Sequence, residues 1–310
     1  MIDFRYHLVS LISVFLALAV GIVLGAGPLK QPIGESLQSQ VESLRTDRDK
    51  LRGELDTAHG DVQKLNDFVV AEAPSQLRGA LKGRTVAVVH AADADADQLA
   101  AVQQRLREAN AKTVDAGGLT AKTFASQERD DLVAKLRELD TALPKDPGTA
   151  LTTALAKALS AERGSQPYSA QTAKDVLTAF QDAGRFKGGQ AQKADAVVFV
   201  AGAQTAAQDE GATPTAGAAQ SIPEDLVAFA AGLGTRIATV VEGTSGNASS
   251  GLVATLRADN ADVTTTDGLE LGAGPVIGAL AVKERLATNK NQAYGFADGT
   301  ASLVPGIAKS

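Results

Sequence analysis

The sequence predicts an α/β protein in three parts: an N-terminal transmembrane helix, a parallel coiled-coil stalk, and a Rossmann-like, mostly parallel sheet domain with a helical insert. Three observations carry this. An apolar span runs from Leu8 to Ala26, a strict 4,3 spacing of apolar residues follows from Leu37 to Val69, and short β-branched runs then alternate with helical stretches. The corresponding parts are residues 1–30 (anchor), 31–75 (stalk) and 76–310 (domain), with the insert at about 124–186.

The anchor span has 19 residues and is broken only by Ser10 and Ser13. At ~1.5 Å per residue it crosses most of a ~30 Å hydrocarbon core. It also exceeds the ~7 to 15 apolar residues usual in a signal peptide. Cleavage at the small residues Gly25, Ala26 and Gly27 is the alternative. Arg5 precedes the span and Lys30 follows it, which gives a cell-membrane, single-pass topology with the N-terminus cytoplasmic and the bulk extracytoplasmic in the envelope. Ala17, Gly21 and Gly25 recur every fourth residue, a stripe on which a second membrane helix can pack closely.

In the stalk, Leu37, Val41, Leu44, Arg48, Leu51, Leu55, Ala58, Val62, Leu65 and Val69 occupy alternating d and a positions, and Arg48 alone is polar. Arg45, Arg52 and His59 fall at e, whereas Asp47, Glu54 and Asp61 fall at g. Opposite flanks meet in a parallel pair, so Asp47 would face the partner's e position filled by Arg52. This predicts a parallel homodimer or a heterotypic coil with a membrane partner; an amphipathic helix packed on its own domain is the other reading. Gly53 and Gly60 lie on the outer f face and stay clear of the seam.

The remaining 230 or so residues suffice for a real core. Arg84–His90, Ala194–Ala201 and Thr235–Glu242 are nearly continuous apolar runs, as expected of central strands covered on both faces. Lys112–Asp115 and Ala261–Thr266 read as weaker strands. Helical spacing covers Asp97–Asn110, Arg129–Thr141, Thr149–Arg163, Ala170–Phe186, Pro223–Gly232, Gly251–Asn260 and Gly274–Thr288. Gly202–Ser221 and Thr244–Gly251 read as loops. The stretch between Phe124 and Phe186 is expected to sit apart from the sheet.

Composition excludes several functions. A net charge of −6 without a basic patch leaves no footprint for nucleic acid. The chain has no Cys, so it offers no thiol nucleophile, disulfide or zinc cluster. Its three histidines, His7, His59 and His90, fall in different parts of the chain. After the first strand, Asp93, Asp95 and Asp97 stand where a dinucleotide site would have glycines. Their spacing opens like a calcium loop, but Gln98 and Gln104 replace the required Gly and Glu. These acids read best as a helix N-terminus. Gly243–Gly251 has the composition of an anion cradle but lacks a following Lys. His90 and Gly243 are the places where a small ligand would meet the strand ends. No enzyme, cofactor or metal site is expected.

The opening from Arg5 to Gly25 (RYHLVSLISVFLALAVGIVLG), the heptad stalk, the strand RTVAVV and the closing Tyr294–Pro305 stretch resemble the mycobacterial copper transport protein (MctB-like) family of actinobacterial envelope proteins, with the SteB-like branch in view. The resemblance implies one of two functions. One is a non-catalytic scaffold that binds a membrane partner of SteA type, with a peptidoglycan hydrolase or its regulator, in septal cell-wall remodelling and cell separation. The alternative is a channel-type copper transport or efflux component. Copper(I) favours thiolate and thioether ligands, and a chain with Met1 as its one Met and no Cys favours the scaffold.

Overall fold

The computed structural model describes residues 4–26, 31–190, 192–202 and 223–306. Two compact units divide the chain, Met1–Leu65 and Asn66–Ser310. The expected loop Gly202–Ser221 lies, beyond Gly202, outside the described residues, as does the side chain of Leu37.

The first unit is helical. Helix α1 (Phe4–Ala26) contains a span, Arg5–Gly25, long and apolar enough to cross a membrane. Helix α2 (Gln31–Leu77) carries the heptads without interruption and ends inside the second unit.

The second unit is a seven-stranded sheet covered on both faces. Its strands are β1 (Thr85–His90), β2 (Lys112–Leu119), β3 (Phe186–Lys187), β4 (Ala196–Val200), β5 (Ala238–Glu242), β6 (Thr264–Thr266) and β7 (Ala293–Tyr294), in the order β3-β2-β1-β4-β5-β6-β7. All neighbours run parallel except β3 on β2. The three apolar runs form the centre of the sheet, because continuous burial on both faces is what such runs satisfy. Alternation along them sorts the two cores. Ala87, Val89, Val197, Phe199 and Val241 enter one, whereas Val86, Val88, Val198, Val200 and Val240 enter the other.

The connecting helices are α3 (Ala96–Glu108), α4 (Asp130–Leu139), α5 (Pro147–Leu159), α6 (Ala170–Asp182), α7 (Glu224–Gly234), α8 (Ser245–Ser250), α9 (Leu252–Ala258) and α10 (Gly274–Thr288). Helices α4, α5 and α6 share one core with the sheet through Leu136, Leu151, Leu155 and Phe180. The helical stretch therefore covers a sheet face instead of sitting apart, since its apolar sides have no other surface to bury. Phe199 and Phe229 meet edge-on there, with centroids 5.8 Å apart.

The opposite face receives α3, α10 and the end of α2. Val69 packs against this core, and Ala73 and Leu77 are buried in it. Val69, half-buried, thus touches the domain core, just after Asn66, which accepts from the Gly272 amide at 3.2 Å. Pro74 lies inside the helix and cannot donate to the carbonyl of Val70, four residues earlier. Arg105 of α3 donates to that carbonyl instead, from Nη1 at 3.4 Å.

Candidate functional site

Two places were marked by sequence: the α2 seam and the carboxyl ends of the central strands. On α2, Val41, Leu44, Leu51, Leu55, Val62 and Leu65 are 45–67 % exposed, and Arg48 and Ala58 are exposed with them. Six large apolar side chains on one stripe form a surface that water solvates at a cost of ~25 cal/mol per Å². The flanking charges are also exposed. Glu54 lies 3.8 Å from Lys50 and Asp61 3.0 Å from Lys64, while Arg48 pairs with Asp49 at 2.7 Å. Such exposed pairs within one helix contribute ~0–1 kcal/mol and do not tie the charges down. Arg45, Asp47, Arg52 and His59 stand on the same open flanks. On α1, Ala17 is exposed, and a Cβ at Gly21 or Gly25 would meet nothing within 4 Å.

At the strand ends, the expected groups are occupied by the fold. Asp95 caps α3, its side chain accepting from the amides of Asp97 and Gln98 at 3.0 and 2.9 Å. His90 is close to Gly118 of β2, where a Cβ would fall 2.1 Å from its ring, and its Nδ1 lies 2.9 Å from the Ala91 carbonyl. Asp93 closes on Gly202, where a Cβ would overlap its carboxylate. The presumed loop Thr244–Gly251 contains α8, capped by Thr244, and its Ser245 amide already donates to both Glu270 oxygens at 3.1 Å. A protein carboxylate thus fills the place an anion would take. Asn247 completes the fastening by donating to the Gly202 carbonyl and accepting from the Val253 amide, each at 2.8 Å. Among the described residues no group of three or more His, Cys, Asp or Glu is placed to hold a metal ion.

Three buried polar features escaped the sequence reading. Asp267, the residue after β6, accepts from Arg257 Nη2 at 2.9 Å on one oxygen, and from the Phe296 and Ala297 amides at 2.6 and 3.2 Å on the other. Gly295, at φ +126°, leaves the space that this carboxylate fills. One side chain therefore anchors the closing Tyr294–Pro305 stretch. Asp140 accepts from Lys157 Nζ at 2.5 Å and from Tyr168 at 2.8 Å, and the ammonium lies 4.3 Å from the Tyr168 ring centroid. Glu242, the last residue of β5, is only 1 % exposed, and among the described residues neither of its oxygens has a hydrogen-bond partner. Its signal in the sequence was a carboxylate closing an otherwise apolar strand.

The fold defines a class: a mostly parallel α/β domain preceded in the chain by a long helix with an exposed apolar stripe and by a membrane-length apolar helix. The chain matches the family model described as "Copper transport outer membrane protein, MctB" over residues 1–305. It is 28 % identical, over 331 aligned positions, to proteins named "Copper transporter MctB" from Mycobacterium tuberculosis (strain ATCC 25618 / H37Rv) and Mycobacterium bovis (strain ATCC BAA-935 / AF2122/97), covering 98 % of this chain and 99 % of each relative. The chain belongs to the MctB family.

Proposed function

We propose that the chain is a membrane-anchored component of copper transport in the cell envelope. The observation that carries this is the match of nearly the whole chain to relatives named for copper transport. Those relatives bring nothing that speaks for septal cell-wall remodelling, and the reading that placed it first gives way to the copper alternative.

The residues favour a particular share of that work. Copper(I) is held by soft ligands, and this chain has no Cys, one Met at its first position and three dispersed histidines. A single apolar helix also encloses no pore. The proposed role is therefore an anchor and assembly module, non-catalytic, whose α2 seam recruits the chains that complete the conduit. Complementary flanks favour a second copy in parallel, with the N-terminus cytoplasmic and the domain on the far side of the membrane. Both arrangements are part of the proposal.

Cell-associated copper, followed across a copper series in a deletion strain and its complemented counterpart, tests it. Accumulation in the deletion strain, reversed by complementation, is expected. Equal copper in both strains overturns the transport reading.

A further inference from the structure

Glu242 lies at an interface that nothing above explains. Register places it beside Val200 of β4 on one side and Thr266 of β6 on the other, and alternation along β5 turns it toward α10. Its carboxyl group lies against the backbone of that helix. A Cβ on Gly278 would fall 2.1 Å from Oε1 and 2.6 Å from Oε2, so the bare glycine is what makes the seat.

The charged groups around it are engaged elsewhere. Beyond Val200, His90 lies close to Gly118 with Nδ1 near the Ala91 carbonyl. Beyond Thr266, Asp267 is taken by Arg257 and two amides. Glu270, in the loop before α10, accepts from Ser245, and Arg285, three turns along α10, bonds to Asn289. With no cation opposite, burial alone pushes the Glu242 acid up to about 8. The side chain is therefore neutral at pH 7.

The seat is connected to the end of α2. Gly272, just before α10, donates to Asn66 Oδ1 at 3.2 Å, and a Cβ there would fall 2.7 Å from Val70. We propose that Glu242 is a proton-operated latch: as a neutral acid it lets α10 close on β5, and on ionisation it unseats the start of α10 and loosens the Gly272 contact with Asn66 and Val70. The reason is energetic. An ionised carboxylate without a partner is far costlier to bury than the displacement of one helix end.

Hydrogen exchange of the full chain in lipid nanodiscs, corrected for intrinsic rates, tests the latch. Between about pH 6 and 9 the wild type should lose protection in 274–288 and 66–77, approaching tenfold per pH unit below the acid's midpoint and levelling off above it. Glu242→Gln and the apolar Glu242→Met should stay flat across the same range, and whichever variant folds is sufficient for the comparison. A second readout uses the wild type alone: its infrared spectrum at neutral pH should contain the C=O band of a buried protonated carboxyl. Wild type and variant with the same pH dependence, or a wild type without that band, overturns the proposal.

Discussion

Arg105 Nη1 donates to the Val70 carbonyl at 3.4 Å, the carbonyl whose helical partner Pro74 removes. The guanidinium is nearly buried and is balanced by Glu108 at 2.5 Å. A break in the backbone ladder of α2 thus becomes an attachment point between α2 and α3. Arg105→Ala should remove the donor, leave Glu108 with only its bond from Gln104 and lower stability by about 2–3 kcal/mol. Urea unfolding of the full chain in detergent measures this. An unchanged midpoint would show that the contact is incidental.

The Asp140 group makes a pH prediction. Burial raises this carboxyl, but bonds from Lys157, Tyr168 and the Ala142 amide outweigh it and hold it below the usual carboxylate range. A lowered carboxyl stabilises the fold above its unfolded value, and that contribution is lost as pH falls through the folded value. The loss belongs below about pH 4. Tyr168→Phe removes one of the bonds and should shift acid unfolding to higher pH, with about 1–2 kcal/mol lost at neutral pH. Coincident acid transitions for the two proteins would contradict it.

Much of the sheet was legible because central parallel strands are written as apolar runs. Arg84–His90, Ala194–Ala201 and Thr235–Glu242 contain β1, β4 and β5 in full. Strands β3 and β7 were not seen. Each has two residues, and a pair such as Phe186–Lys187 leaves no periodicity to detect. Helix α8 was hidden for a different reason: Ser245–Ser250 has the polar composition of a loop, and its helical state depends on the Thr244 cap and on Asn247, whose partners are 45 residues before and 6 after it. Of the aspartates after β1, Asp95 and Asp97 form the expected helix start, because capping is local chemistry, whereas Asp93 turns to Gly202. Asp267 and Glu242 could not be understood locally, since the residues that give them meaning, Arg257, Phe296 and Gly278, come together only in the fold. Val69 keeps the heptad spacing and also touches the domain core, because spacing identifies a face but not what covers it.

The exposed stripe on α2 yields a prediction about association. If a parallel second copy covers Leu51 and Leu55, each leucine leaves water at a gain of roughly 1.5–3 kcal/mol per side chain. Changing both Leu51→Asp and Leu55→Asp should weaken self-association by at least 100-fold. It should leave the unfolding of the second unit unchanged, because these residues are exposed in the single chain. Sedimentation of the purified chain over a concentration series distinguishes the outcomes. Equal association by both proteins would mean that the stripe is not the seam.

Gly278 gives the most discriminating test of packing. In an exposed helix interior, Gly→Ala stabilises by about 1 kcal/mol through backbone entropy and propensity. Position 278 should invert that sign, because the new methyl would enter the space of Glu242 Oε1. Both obvious escapes are blocked: the carboxyl is enclosed at 1 % exposure, and α10 is fixed to the core through Ile277, Ala281 and Val282. Gly278→Ala alone should therefore destabilise by about 2 kcal/mol. Shortening the obstacle with Glu242→Ala in the same chain should make the alanine neutral or favourable, giving a coupling of about 2–3 kcal/mol in a double-mutant cycle. Simple additivity would show that the two residues do not touch.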